Sequence, residues 1–127
     1  MHEWALAEGV IATSLQAIKG GKTIRRITVV LGELQQIDEK IFRAALRELA
    51  KKTAASRAEI VLKHEMARMK CRSCGNEWNY HPRGRRAESI HFLPEAIHAY
   101  HRCPSCGSPD FSVEAGRGVW IESIEVE

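Results

Sequence analysis

All four cysteines of this 127-residue chain fall in two matching knuckles, Cys71-Arg72-Ser73-Cys74-Gly75 and Cys103-Pro104-Ser105-Cys106-Gly107. Each Cys-x-x-Cys pair sets two sulfurs on one side of a tight turn, and the glycine after the second cysteine supplies the positive φ that such a turn needs. Two pairs make four thiolates, the donor set that zinc takes in closed tetrahedral sites. The 28 residues between Cys74 and Cys103 exceed the usual zinc-ribbon separation, so an elaborated loop is expected between the knuckles. Disulfides, free core thiols and a rubredoxin-like iron centre are the competing uses of these cysteines. Disulfides fit poorly, because Met1-His2-Glu3-Trp4 has neither the basic nor the apolar region of a secretory signal, which points to the reducing cytoplasm. Iron satisfies the same four-thiolate geometry and stays open on spacing alone.

The cysteines are confined to residues 71–106, so the rest of the chain must build its own core. Trp4, Ala7, Ile11, Leu15 and Ile18 recur at helical spacing up to Gly20-Gly21 and predict an amphipathic first helix. The β-branched run Thr23 to Leu31 predicts a strand with Ile27, Val29 and Leu31 on one face. Asp38 is placed to cap a second helix whose stripe is Ile41, Phe42, Ala45, Leu46 and Leu49 and whose polar face carries Arg43, Arg47 and Lys51. Glu59 to Met69 reads as a second strand running into the first knuckle, and Gly118 to Val126 as a third. Two strands alone are marginal, so the last should return to the earlier ones. The expected architecture is therefore α+β: two helices on a small, about three-stranded sheet, with an inserted zinc-ribbon-like four-cysteine module. Residues 1–69 and 111–127 would form the α+β domain and residues 70–110 the module.

Met1, His2 and Glu3 precede the first helix without a spacer. A free α-amine, the backbone nitrogens of His2 and Glu3 and the His2 imidazole can surround one ion with nitrogen, a planar arrangement that selects Ni(II) or Cu(II) over zinc. Deprotonating those amides costs the helix little, because its first N–H groups lack intrahelical partners. Ordinary terminal residues, with Glu3 complementing the helix dipole, are the alternative.

Taken together, Met1-His2-Glu3, Val30-Leu31-Gly32-Glu33-Leu34, the two cysteine knuckles and Gly116-Arg117-Gly118-Val119 resemble the HypA/HybF family of hydrogenase-maturation nickel metallochaperones over almost the whole chain. The resemblance implies a nickel carrier whose essential ligand is His2, aided by the Met1 amine and the backbone nitrogens of His2 and Glu3. It implies structural zinc on Cys71, Cys74, Cys103 and Cys106. The implied partners are a HypB-type maturation GTPase and the large subunit of a [NiFe]-hydrogenase, with urease served in some relatives. The family pattern assigns no role to His81, His91, His98 or His101. His101, two residues before Cys103, is a candidate to tune a thiolate, and His98 a candidate additional nickel ligand.

Other classes fit less well. No nucleophile elbow, phosphate loop or metalloprotease histidine pair is present, so no enzyme is expected and a partner must hydrolyse any GTP. A zinc-ribbon nucleic-acid module would use Arg72, Arg83, Arg85, Arg86 and Arg102 on phosphates, but a formal charge of only +3 argues against it. No apolar run reaches the length of a membrane span, so no membrane partner is expected, and the modest charge together with the amino-terminal metal constellation leaves no nucleic-acid partner expected.

Overall fold

The computed structural model describes residues 2–82 and 93–127. Its elements run α1 (His2–Ala17), β1 (Ile24–Gly32), a 3-10 turn (Glu33–Gln35), α2 (Glu39–Ala50), β2 (Glu59–Glu65), β3 (Ala67–Cys71) and β4 (Glu77–Tyr80). After a 3-10 turn at Pro94–Ala96 come α3 (Ile97–Tyr100), β5 (Phe111–Ala115) and β6 (Val119–Val126). The class is α+β as expected, with two three-stranded sheets ordered β2-β1-β6 and β4-β3-β5.

The chain divides into two compact units. The first comprises the chain through Val30, Ile37–Lys63 and Val119–Glu127, and in it α1 packs on α2 and touches β6. Asp38 caps α2 as expected, its Oδ1 accepting from the Ile41 N–H at 3.1 Å. The return of the last strand is also as expected: β6 lies beside β1, and the Glu127 N–H donates to the Thr23 carbonyl at 3.1 Å. As the central strand, β1 is buried without interruption from Ile27 to Gly32, not on the single face that its alternation predicts. The first helix also departs from expectation. Its buried positions are Glu3, Ala7, Val10, Ile11 and Ser14, whereas Trp4 is 45% exposed, so the inward face is rotated from the predicted stripe. The reason is polar: the Glu3 carboxylate, 3% exposed, accepts the Asp38 backbone N–H at 3.0 Å and draws its side of the helix inward.

The second unit comprises Leu31–Gln36 and His64–Gly118. Its core is Leu34, Ala67, Met69, Ile97 and Phe111, with Trp78, Tyr80, Tyr100 and Val113 packed against it. The predicted strand from Glu59 to Met69 is two strands, broken at Met66, one in each sheet. Gly116 crosses close to that break at φ +89°, where a Cβ would lie 2.4 Å from the Ala67 Cα, so only glycine fits. The Gly116 N–H donates to Glu65 Oε1 at 2.8 Å and its carbonyl accepts from the Leu34 N–H at 2.8 Å.

Candidate metal centre

The second sheet carries both knuckles. In its antiparallel register Cys71, the last residue of β3, lies opposite Phe111, the first of β5, and Lys70 lies opposite Glu77 of β4. The strand pairing thus sets the first knuckle beside the residues that follow the second.

The knuckles repeat one backbone design. The Cys71 carbonyl accepts from the Gly75 N–H at 3.0 Å and the Cys103 carbonyl from the Gly107 N–H at 2.9 Å, with both glycines at φ +77°. The Cys74 N–H points to Cys71 Sγ at 3.5 Å and the Ser105 N–H to Cys103 Sγ at 3.4 Å. Side chains join the two turns: Arg72 Nη1 donates to Asp110 Oδ1 at 2.7 Å and to the Phe111 carbonyl at 3.1 Å, and Ser73 Oγ to Ser108 Oγ at 3.1 Å. Asn76 Nδ2 reaches from the first turn to Cys103 Sγ at 3.9 Å.

All four sulfurs lie within 4.8 Å of one another, with Cys71 and Cys106 at 3.5 Å and Cys74 and Cys103 at 3.7 Å. A tetrahedron with zinc–sulfur bonds of about 2.3 Å has edges of roughly 3.8 Å, so the cluster suits one such ion. A disulfide needs about 2.05 Å, and all four thiols are free. Cys71 and Cys103 are buried, Cys74 and Cys106 exposed.

Proton affinities within the cluster diverge. The Cys74 N–H lowers the Cys71 thiol against the effect of burial, helped by the Ser73 N–H and the Cys106 and Cys74 thiols. Burial pushes Cys103 up, but the Cys106 and Ser105 N–H groups and the neighbouring thiols outweigh it and bring it down to about 6. The Ser108 N–H pulls Cys106 down, yet Cys71, burial, Cys74 and Cys103 together push it up to about 12. Four sulfurs this close do not all ionise unaided; a thiophilic dication is what the donor set accommodates.

Of the histidines, His101 Nε2 accepts from Trp78 Nε1 at 2.8 Å and its ring lies 4.2 Å from Tyr80, which anchors it in an aromatic group. His98, exposed on α3, stacks on Phe111 at 4.5 Å, and His81 Nδ1 is 3.0 Å from Glu33 Oε1. His2 is exposed at the first position of α1. The Met1 amine, His91, Arg83, Arg85 and Arg86 lie outside the described residues. Among the described residues the four cysteines are the one group of three or more potential ligands close enough to share an ion. Sequence reasoning passed over Asn76, Asp110, Ser73 and Ser108 as parts of this site; the equivalent spacing of Asn76 and Ser108 after the two cysteine pairs was the available signal.

The family model described as "Hydrogenase/urease nickel incorporation, metallochaperone, hypA" matches residues 1–126. The chain is 47% identical to the hydrogenase maturation factor HypA of Thermococcus onnurineus over 134 aligned residues, covering 100% of this chain and 96% of that protein. It is 46% identical to the factor of the same name from Pyrococcus horikoshii, with the same coverage. The solution structure of the Ni metallochaperone HypA from Helicobacter pylori superposes with a TM-score of 0.63 at 19% identity, covering 97% of this chain and 95% of that one, a likeness of fold.

Proposed function

The chain belongs to the HypA family, a family of metallochaperones and not of enzymes, and from that premise we propose that it binds Ni(II) at its amino terminus and passes it to the large subunit of a [NiFe]-hydrogenase. A HypB-type GTPase assists delivery, in the cytoplasm, and Cys71, Cys74, Cys103 and Cys106 hold a structural zinc ion. The observation that carries the reading is the full-length family match joined to a preformed four-sulfur cluster.

The proposed sites suit opposite tasks. Four thiolates enclose zinc with no open position, so that ion stabilises the fold and stays. The His2 imidazole, the Met1 amine and the backbone nitrogens of His2 and Glu3 form a nitrogen set on the first turn of a helix, where amide protons can be given up without breaking an intrahelical bond. The buried Glu3 carboxylate supports the arrangement by holding this turn to the start of α2. Coordination leaves the ion's faces accessible, so a partner's thiolates take the cargo by stepwise ligand exchange. Cu(II) outcompetes Ni(II) at most nitrogen sites, and partner docking supplies the discrimination. His98, exposed on α3, is the candidate additional nickel ligand.

Titration of tag-free, zinc-loaded protein with Ni(II) tests the reading, beside His2→Ala and His98→Ala. A square-planar spectrum at one equivalent, lost in His2→Ala with zinc content unchanged, is expected. Equal binding by wild type and His2→Ala would sink the amino-terminal site. A spectrum altered in His98→Ala adds that ligand, and an unaltered one removes it. Acidification should release nickel before zinc, because the proposed nickel site depends on deprotonated backbone nitrogens; equal pH midpoints would contradict the donor assignment.

A further inference from the structure

The sheet of the first unit has two edges, β2 and β6, and they differ. On β2 the Ile60 carbonyl accepts from Arg43 Nη1 at 2.9 Å, so a side chain obstructs that edge. On β6 no strand among the described residues pairs with the far side, and the segment holds neither a proline nor a basic residue to guard it. Its two carboxylates are already neutralised within the chain: Glu122 Oε2 pairs with Lys63 Nζ at 2.8 Å, and Glu125 with Arg25 at 2.8 Å and Arg26 at 2.6 Å. Trp120 and Val126 stay 44% and 41% exposed on this same strand. The edge therefore offers open backbone groups and apolar side chains with little uncompensated charge.

A strand that pairs antiparallel with a copy of itself does so about a two-fold axis normal to the sheet, which keeps every side chain on its own face. Opposing residues then come from the same alternating row, so one residue must lie opposite its own counterpart. Centring on Glu122 opposes two carboxylates, and centring on Ile121 sets Trp120 against Glu122. Centring on Ile124 leaves Trp120 opposite no residue of β6. Centring on Ser123, exposed at mid-strand, opposes Trp120 to Val126 of the copy, Ile121 to Glu125 and Glu122 to Ile124. The two exposed apolar side chains then cover one another on both sides of the axis, and no like charges meet. A groove of about 460 Å³ beside the start of β6, lined by Leu6, Gly9, Thr13, Val119, Trp120 and Ile121, leaves room for the copy's strand end.

We infer that β6 pairs with β6 of a second copy of this chain, antiparallel and centred on Ser123, joining two three-stranded sheets into one of six strands. A strand from a different protein could use the same open backbone groups, but the mutual opposition of Trp120 and Val126 selects a second copy. The inference uses neither the cysteines nor His2, so it stands or falls separately from the nickel reading.

The test is analytical ultracentrifugation of the zinc-loaded full chain over a concentration series, beside Ser123→Lys and Ser123→Glu. A monomer–dimer equilibrium is expected, with the dissociation constant raised about tenfold or more in each variant alone, because each doubles its charge at the axis. An equimolar mixture of the two variants should recover association, as the lysine of one copy meets the glutamate of the other. Should either variant disturb folding, Trp120→Ala reads the loss of the apolar pair instead, again as a weakened dimer. A monomer at every concentration, a dimer that neither the charge variants nor Trp120→Ala weakens, or a mixture that associates no better than its separate components would each overturn the inference.

Discussion

The cysteine knuckles and the first turn of α1 are both tied down by backbone N–H groups, the knuckles by their own and α1 by one at the start of α2. In the knuckles the donors turn inward: Cys74 and Ser105 point theirs at sulfur, and Gly75 and Gly107 close each turn on its own carbonyl. At α1 a single carboxylate, Glu3, anchors the turn from one side by accepting the Asp38 N–H. The first arrangement gathers four sulfurs close enough to share an ion, and the second steadies the start of a helix. Under the proposed function the contrast teaches why a carrier needs both: an ion held by four thiolates is part of the fold, whereas one held at a terminus is available for transfer.

The largest expected effect breaks the comparison on the cysteine side. Chelating the proposed zinc ion, or Cys103→Ser, should remove stabilisation on the order of 10 kcal/mol and melt the sheet that carries Trp78, while α2 keeps its hydrogen-exchange protection. Trp78 fluorescence in a Trp4→Phe/Trp120→Phe background and exchange rates together read this, and melting of both units together would show that they are not energetically separable.

Gly116→Ala comes next. It must place a Cβ against the Ala67 backbone at φ +89°, and a loss of about 3 kcal/mol is expected in the urea midpoint, with zinc stoichiometry retained. A loss below about 0.5 kcal/mol would mean that this crossing relaxes freely.

Glu3→Ala strips the acceptor from the Asp38 N–H and should cost about 1–2 kcal/mol, while Glu3→Gln, which keeps an acceptor oxygen, costs less. If the carboxylate only steadies the turn, Glu3→Gln retains the nickel spectrum.

The smallest effect is electrostatic. Hydrogen bonds from Arg25 and Arg26 hold the Glu125 carboxyl below the usual carboxylate range. A carboxyl lowered in the folded state stabilises above its unfolded pKa of about 4.3 and loses that contribution as pH falls through the folded value. Glu125→Gln should therefore lower stability slightly above about pH 4.3, leave the most acidic region unchanged and so flatten the acid limb; an unchanged profile would assign the limb to other carboxylates.

Much of this architecture was legible in sequence because the signals were local. Asp38 caps α2 through the N–H of Ile41, three residues on, and each knuckle closes on a glycine within the same five residues. What escaped involves partners distant in sequence. The break at Met66 lies beside the Gly116 crossing, β5 is recognisable only from its pairing with β3, and the inward face of α1 carries Glu3, which is bonded to the Asp38 N–H. The arginine at position 72 illustrates the point: read as a potential phosphate contact, it is engaged by Asp110 and the Phe111 carbonyl.

By itself the sequence determined the donor atoms and the local turns: four thiols in two repeating knuckles, an imidazole at the second residue, and helices whose caps and periodicity lie within a few residues of one another. Only the tertiary structure decided that the sulfurs converge within 4.8 Å, that Asn76 reaches Cys103, and that Glu3 is drawn inside. The physical reason is range: turn geometry and donor chemistry are set by adjacent bonds, while the register of β3 against β5 and the burial of a carboxylate are set by contacts between segments that the chain brings together only on folding.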